Sequence, residues 1–245
     1  MSFFYDLHLH SCLSPCGDED MTPFNLVNMA KLSGLDIIAL TDHNSARNCP
    51  GAIEAGKEAD ILVIPGMELC TAEEIHVICL FPNLQAALSF DTFVYSSLPR
   101  IENRSEIFGK QLILNHRDKI IEEENLLLLN ASSIRIDELP SLMKSYGGVS
   151  YPAHIDRESF SILSVLGEFP LDIGFSAFEI STKGDKDSLL KRYPPLKELI
   201  NVTSSDAHYL ENISTPRYKL PLREATAKEV IEYLSATNLL DNIKA

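Results

Sequence analysis

Residues 3–10 read Phe-Phe-Tyr-Asp-Leu-His-Leu-His. An apolar run followed by alternating leucine and histidine is a strand pattern. In an extended backbone residues i and i+2 share a face, so His8 and His10 project together from one strand end. Two adjacent imidazoles are half of a metal site. Such pairs also occur as core or surface histidines, so the reading depends on what the rest of the chain supplies.

The chain continues as alternating helix-like and strand-like segments. After a turn-rich loop, Ser11 to Met21, a helix is predicted with Thr22 as N-cap, Pro23 at the first helical position and Gly34 just past its end. Asp36 to Thr41 reads as a short buried strand ending in Asp42-His43-Asn44. A helix over about Ala52–Ala59 leads to a strand Ile61–Ile64, then Pro65-Gly66-Met67-Glu68. The strand Ile75–Phe81 carries His76 near its start. Residues 83–147 read as a helical lid, with helices over Gln111–Leu129 and Asp137–Tyr146 and a stop at Gly147-Gly148. Strand character resumes at Val149 to His154, then at Phe175–Ile180 and at Val202–Ser204. The last of these ends in Ser205-Asp206-Ala207-His208. An amphipathic helix over about Thr226–Ser235 closes the chain, and the proline stretches Pro194-Pro195 and Pro216–Pro221 read as loops. Polar residues fit for chemistry thus recur at strand ends, where α/β folds place their sites.

Composition bounds the partners. The chain has 245 residues and a formal net charge of −14, which argues against the broad basic surface that long nucleic acids require. The five cysteines are an odd number, and no signal segment opens the chain, so reduced thiols in a cytoplasmic protein are expected. Cys12 and Cys16 lie near His10, but no second cysteine pair completes a closed tetrahedral zinc site. No apolar run reaches the roughly 20 residues of a membrane span.

His8-Leu9-His10, Asp18, Thr41-Asp42-His43, Gly66-Met67-Glu68, His76, Ala153-His154 and Ser205-Asp206-Ala207-His208 resemble, in order and strand context, the motifs of the PHP (polymerase and histidinol phosphatase) superfamily. The resemblance runs from about residue 4 to residue 209. It implies an α/β fold, a distorted (β/α)7 TIM-like barrel in one domain over 1–245, with about three divalent metals at its mouth. Carried over by position, the ligands would be His8, His10, Asp18, His43, Glu68, His76, His154, Asp206 and His208. Asp20 is an alternative to Asp18, because Ser14-Pro15-Cys16-Gly17 lengthens the loop relative to the family.

Imidazoles and carboxylates with few thiolates suit Mn, Fe or Zn. About three divalent ions against three ligand carboxylates leave the pocket at roughly +3 inside an acidic protein, so phosphate is drawn to the mouth and long polyanions are repelled elsewhere. The implied reaction is hydrolysis of a phosphoester by metal-activated hydroxide, with Glu68, His43 and Asp206 acting through it. A small phosphomonoester such as histidinol phosphate, a nucleotide and a short oligonucleotide all fit as substrates. The competing reading is a catalytically silent metal-binding module that regulates or stabilises a partner. Asp42 either orients a ligand imidazole or caps the following turn. Arg157 either binds substrate phosphate or pairs with Asp156 or Glu158. Arg47 and Lys183 are weaker phosphate candidates, Glu179 reads as a satisfied barrel-interior carboxylate or a support for the ligands, and His116 reads as a solvated helix residue.

Overall fold

A computed structural model describes residues 1–213 and 215–236. The first half winds as expected for α/β chains: β1 (Phe3–Leu9), α1 (Pro23–Leu32), β2 (Ile37–Leu40), α2 (Cys49–Ala59) and β3 (Leu62–Cys70). Thr22 caps α1 by accepting the Asn25 N–H, and Gly34 leaves the helix at φ 84°, a conformation glycine adopts without strain. β1, β2 and β3 pair in parallel.

β3 does not stop at Ile64. Pro65 and Gly66 remain in the ladder and the strand runs to Cys70, so Glu68 sits within a strand rather than in a turn after one. The reason is a close approach: a Cβ on Gly66 would lie 2.9 Å from Thr41 Cγ2, 2.9 Å from Leu80 Cδ2 and 3.0 Å from the Cys79 carbonyl oxygen. Only glycine lets three strands close at that point. The next strand, β4 (His76–Leu80), returns antiparallel directly from β3. That reversal is the departure from a (β/α)7 pattern.

Residues 83–147 follow as α3 (Leu84–Ser97), α4 (Ser105–Phe108), β5 (Leu112–Leu114), β6 (Ile120–Glu123) and α5 (Leu139–Ser145). The helix predicted over Gln111–Leu129 is instead a β-hairpin. Asn115 turns the chain, its side-chain oxygen accepting the Arg117 and Lys119 N–H groups, and Asp118 takes φ 57°. Gln111 then replaces the helix ladder, donating to the Glu124 and Leu126 carbonyls and accepting the Leu128 N–H. His116 therefore lies in a hairpin turn beside Glu58, not on a helix.

β7 (Val149–Pro152) pairs antiparallel with β4, and α6 (Ile162–Leu166) follows. β8 (Ala177–Ser181), α7 (Lys186–Arg192) and β9 (Ile200–Ser204) form a separate parallel pair. β10 (Lys219–Leu220), where a loop was expected, pairs antiparallel with the start of β1. The main sheet has the order β10-β1-β2-β3-β4-β7. The β8–β9 pair bridges its two ends, with Ile155 N–H donating to the Glu179 carbonyl (2.8 Å) and His10 N–H to the Ala207 carbonyl (3.0 Å). The result is a curled, barrel-like ring.

α1, α2 and α3 pack outside it on Leu26, Val27, Ala52 and Phe90, while α8 (Ala227–Ser235) packs on the inner cluster through Val230, Ile231 and Leu234. Each of those three side chains contributes roughly 1.5–3 kcal/mol by burial. No described helix is long and apolar enough to cross a membrane.

Candidate metal centre

The strand ends converge at one mouth of this ring. β1 delivers His8 and His10, both fully buried, just where its pairing register with β2 shifts between Asp6 and Leu9. An isolated parallel bridge joins His43 to Glu68 beyond the end of β2. His76 opens β4, His154 follows β7, and Asp206 and His208 follow β9. His154 (φ 28°) and Asp206 (φ 53°) hold left-handed backbone that non-glycine residues rarely adopt. Such strain persists where the surroundings over-determine a site.

Glu68 is the hub. Its Oε1 lies 3.3 Å from His8 Nε2, 3.0 Å from His76 Nδ1 and 3.2 Å from His154 Nε2. Its Oε2 lies 3.3 Å from His10 Nε2 and 3.0 Å from His43 Nδ1. Asp206 Oδ1 adds a second carboxylate oxygen, 3.2 Å from His8 Nε2 and 3.1 Å from His10 Nε2. His208 stacks on His10 with ring centroids 4.2 Å apart.

Hydrogen bonds behind the ligands set the tautomers. His8 Nδ1 is 2.9 Å from Glu179 Oε1, which also accepts the His154 N–H at 3.1 Å. His10 Nδ1 is 2.9 Å from Ser14 Oγ. The Ser14 hydroxyl donates to Asp42 Oδ1 (2.7 Å), so its lone pairs are left to accept from His10 Nδ1 and from the His43 N–H. Asp42 also takes the Ser11 N–H and hydroxyl, each at 2.7 Å. Asp42 therefore positions His10 through Ser14 and ties down the loop, and Glu179 is the corresponding support for His8. With both Nδ1 protons held from behind, the Nε2 lone pairs of His8 and His10 face each other at 3.1 Å. Two lone pairs at that distance repel unless a cation or proton lies between them.

The donor set fits divalent ions. Three triads bring their ligand atoms within 4.8 Å of one another: His10, His43 and His208; His8, His10 and Glu68; and His43, Glu68 and His76. The buried Asp206 Oδ1 and His43 Nδ1 lack hydrogen-bond partners of acceptable geometry. Imidazole and carboxylate donors of this kind suit Mn, Fe or Zn.

The electrostatics agree. Burial opposes charge on His10 and His43, yet the carboxylates prevail and raise both to about 9; for His10 these are Asp206 and Glu68, for His43 Glu68. His8 is likewise held well above its usual range by Glu179, Asp206 and Glu68 against its burial. Burial would raise Glu68, but the surrounding imidazoles keep it well below the carboxylate range. His208 is pulled down to about 3 by burial and then by His10. The cup thus demands positive charge, which protons supply where metal does not.

Other expected residues fall around this cup. Asp18 lies at its rim, its backbone N–H donating to the His208 carbonyl, while its carboxylate accepts the Asp20 N–H and is not in the three triads. Arg157 pairs with neither Asp156 nor Glu158. Its guanidinium lies 2.6 Å from Asp206 Oδ2 and is 44% exposed, while Asp156 holds the Ser181 N–H and hydroxyl. Arg47 is engaged by Glu122 and Glu124. Cys12 is buried and Cys16 exposed, and neither forms a disulfide. Sequence reading did not single out Ser11 and Ser14, whose role depends on loop closure. It also missed Phe160, whose ring stacks on His76 with centroids 4.7 Å apart. A carboxylate inside the apolar strand Ala177–Ser181 was the available signal for Glu179.

A barrel-like sheet whose strand ends pool imidazoles around buried carboxylates forms a site able to hold divalent ions. The chain belongs to the PHP domain family, whose sequence pattern matches residues 6–238. A 5'-3' exoribonuclease of Haemophilus influenzae is 38% identical over 79 residues, which is 31% of this chain and 28% of that protein. An uncharacterized protein of Methanocaldococcus jannaschii is 34% identical over 86 residues, 32% of this chain and 50% of that one. The matched regions therefore span half or less of these curated relatives. Among solved structures, the lesion-specific endonuclease Q of Pyrococcus furiosus superposes with a TM-score of 0.68 at 17% identity, over 96% of this chain and 56% of that one. A proposed metal-dependent phosphoesterase from Bifidobacterium adolescentis superposes with a TM-score of 0.62 at 18% identity, over 97% and 98% of the two chains. At these identities the structural matches speak to the fold.

Proposed function

We propose that the chain hydrolyses a phosphoester of a small or short substrate: a phosphomonoester, a nucleotide or a short oligonucleotide. The observation that carries this is the pooling of His8, His10, His43, His76 and His154 around Glu68, with Asp206 and Arg157 at the rim. His8, His10, His43, Glu68, His76, His154, Asp206 and His208 would hold the ions, about three of them, with Asp18 the candidate that closes the cup from the loop. Divalent ions bound there supply a water of pKa near 7 and neutralise charge on the phosphoryl oxygens.

The chain's own residues do the rest. Glu179 and Ser14 keep the Nδ1 protons of His8 and His10 and turn both Nε2 atoms inward. Arg157 holds Asp206 Oδ2 from the solvent side, where its remaining N–H groups can meet a phosphoryl oxygen bidentately. The lid over 83–147 leans on the site loop, with Leu112 N–H donating to the Cys12 carbonyl and Asn48 joining Ser11 to the hairpin. Substrate choice is set by that wall and by the segments after β8 and after His208.

Quantifying Mn, Fe and Zn in the purified protein and assaying phosphomonoesters, nucleotides and oligonucleotides of two to six residues tests the proposal. Bound metal with turnover of at least one class is expected, and Glu68→Gln should lose both while keeping its circular dichroism spectrum. Stoichiometric metal with no turnover on the whole panel would favour the silent module instead.

A further inference from the structure

Outside segment 183–219 most of the described lysines and arginines meet a carboxylate, as Lys57 meets Glu54, Arg104 Glu106, Lys110 Glu19, Arg135 Asp137 and Arg223 Glu229. Segment 183–219 breaks this habit. Of its seven lysines and arginines, none has a carboxylate within ion-pair distance among the described residues. The segment's five carboxylates do not neutralise them, since Asp206 belongs to the cup and Asp185 is turned back to cap the Ser188 N–H.

Four of the seven, Lys186, Lys197, Arg217 and Lys219, lie along a continuous depression, Lys219 with its ammonium 4.3 Å from the Phe4 ring centroid. It begins beside the cup, where Thr182, Ser205, Arg217 and Tyr218 line a concavity of about 260 Å³. Ser205 precedes the ligand candidate Asp206, and its hydroxyl has no hydrogen-bond partner. Arg217 and Tyr218 are shared with a second concavity of about 360 Å³, which adds Lys186, Asn201 and Lys219. Lys186 and Asn201 are shared in turn with a third of about 360 Å³, which reaches Lys197. Glu211, in the first, is the single carboxylate among the residues lining all three.

Geometry sets the length of ligand the seam accommodates. From Asp206 to Asn201 the path follows β9 for five residues, about 17 Å at about 3.3 Å per residue. About five nucleotides span that length at about 3.4 Å per stacked nucleotide. Tyr218, half-buried midway, offers a ring for a base to stack on.

We propose that this seam binds the trailing nucleotides of a short single-stranded oligonucleotide whose terminal phosphoester sits at the metal cup. This rests on the phosphoesterase reading above and narrows it to a substrate class. Phosphates lie against Arg217, Lys219, Lys186 and Lys197 in turn, and Asn201, Ser205 and Tyr218 add neutral contacts.

Fluorescence anisotropy on the metal-loaded protein, with a labelled five-nucleotide strand carrying hydrolysis-resistant linkages and a labelled mononucleotide, tests it. The strand should bind at least tenfold more tightly than the mononucleotide. Lys186→Ala combined with Arg217→Ala should weaken the strand five- to tenfold, leave the mononucleotide unchanged, and reduce the salt slope by about 1.4. Lys144→Ala, a free cation on α5 away from the seam, should change neither. Equal binding of the two ligands, an unaffected double variant, or displacement of the strand by tripolyphosphate at matched concentration would overturn the seam. Mononucleotide turnover monitored in parallel separates the two readings: if it persists while the strand gains nothing, the seam alone fails.

Discussion

Removing the metal should make the protein's stability fall as pH rises through a range where most proteins change little. In the metal-free cup His10 and His43 are raised from the usual 6.5 to about 9 by Glu68 and Asp206. A folded-state pKa above the unfolded one means stability that is fully present below about 6.5 and is lost as pH climbs through about 9. One pKa unit is about 1.4 kcal/mol, so from pH 6.5 to 8.5 a single histidine surrenders up to about 3 kcal/mol. These two and His8, itself held well above its usual range, share the same carboxylates and repel one another, so their combined loss lies nearer the single value than the sum. His208 and His76, whose pKa values are lowered, act below this window, because there the unfolded chain binds the extra protons. The buried thiols, raised from 9.0, act above it. The assay is urea denaturation in excess chelator at pH 6.5, 7.5 and 8.5, with metal-saturated protein alongside. The chelated protein should lose about 2–3 kcal/mol across the series. The metal-saturated protein should not, because its ligands are already deprotonated and metal binding strengthens with pH. A flat or rising curve for the chelated protein would refute the charge balance described for the cup.

Glu179→Gln keeps the shape but removes the charge behind His8, and should cost 10–100-fold in metal affinity in a competition titration, with the circular dichroism spectrum retained. Ser14→Ala breaks the link from Asp42 to His10 and to the His43 backbone, so metal affinity should fall by a similar factor, while Asp42→Asn should reproduce the effect. Leu234→Ala opens a cavity where α8 packs into the ring and should cost 2–5 kcal/mol by denaturant titration, with metal stoichiometry retained in the folded fraction.

Local chemistry determined a large part of this protein. The Thr22 cap, the Pro23 start and the Gly34 exit are read from neighbours in the chain, and α1 forms as they dictate. The order of histidines and carboxylates at strand ends located the cup, because period-2 alternation and strand termini are local properties. Where a segment's outcome depended on distant partners, the local reading failed. Gln111–Leu129 is apolar and long enough for a helix, but the Gln111 amide and the Asn115 turn satisfy its backbone as a hairpin. Pro65-Gly66 looks like a chain break, yet strands on both sides close onto Gly66 and carry β3 through to Glu68.

The opening stretch shows the same division. The sequence by itself determined that His8 and His10 leave one strand end together. Only the tertiary structure decided which nitrogen each presents, because the groups holding their Nδ1 atoms, Glu179 and Ser14, come from a strand 171 residues away and from a loop closed by Asp42. It likewise decided that Lys186, Lys197, Arg217 and Lys219 line one seam leading from the cup, since charge neutralisation depends on which side chains the fold brings within reach rather than on their order in the chain.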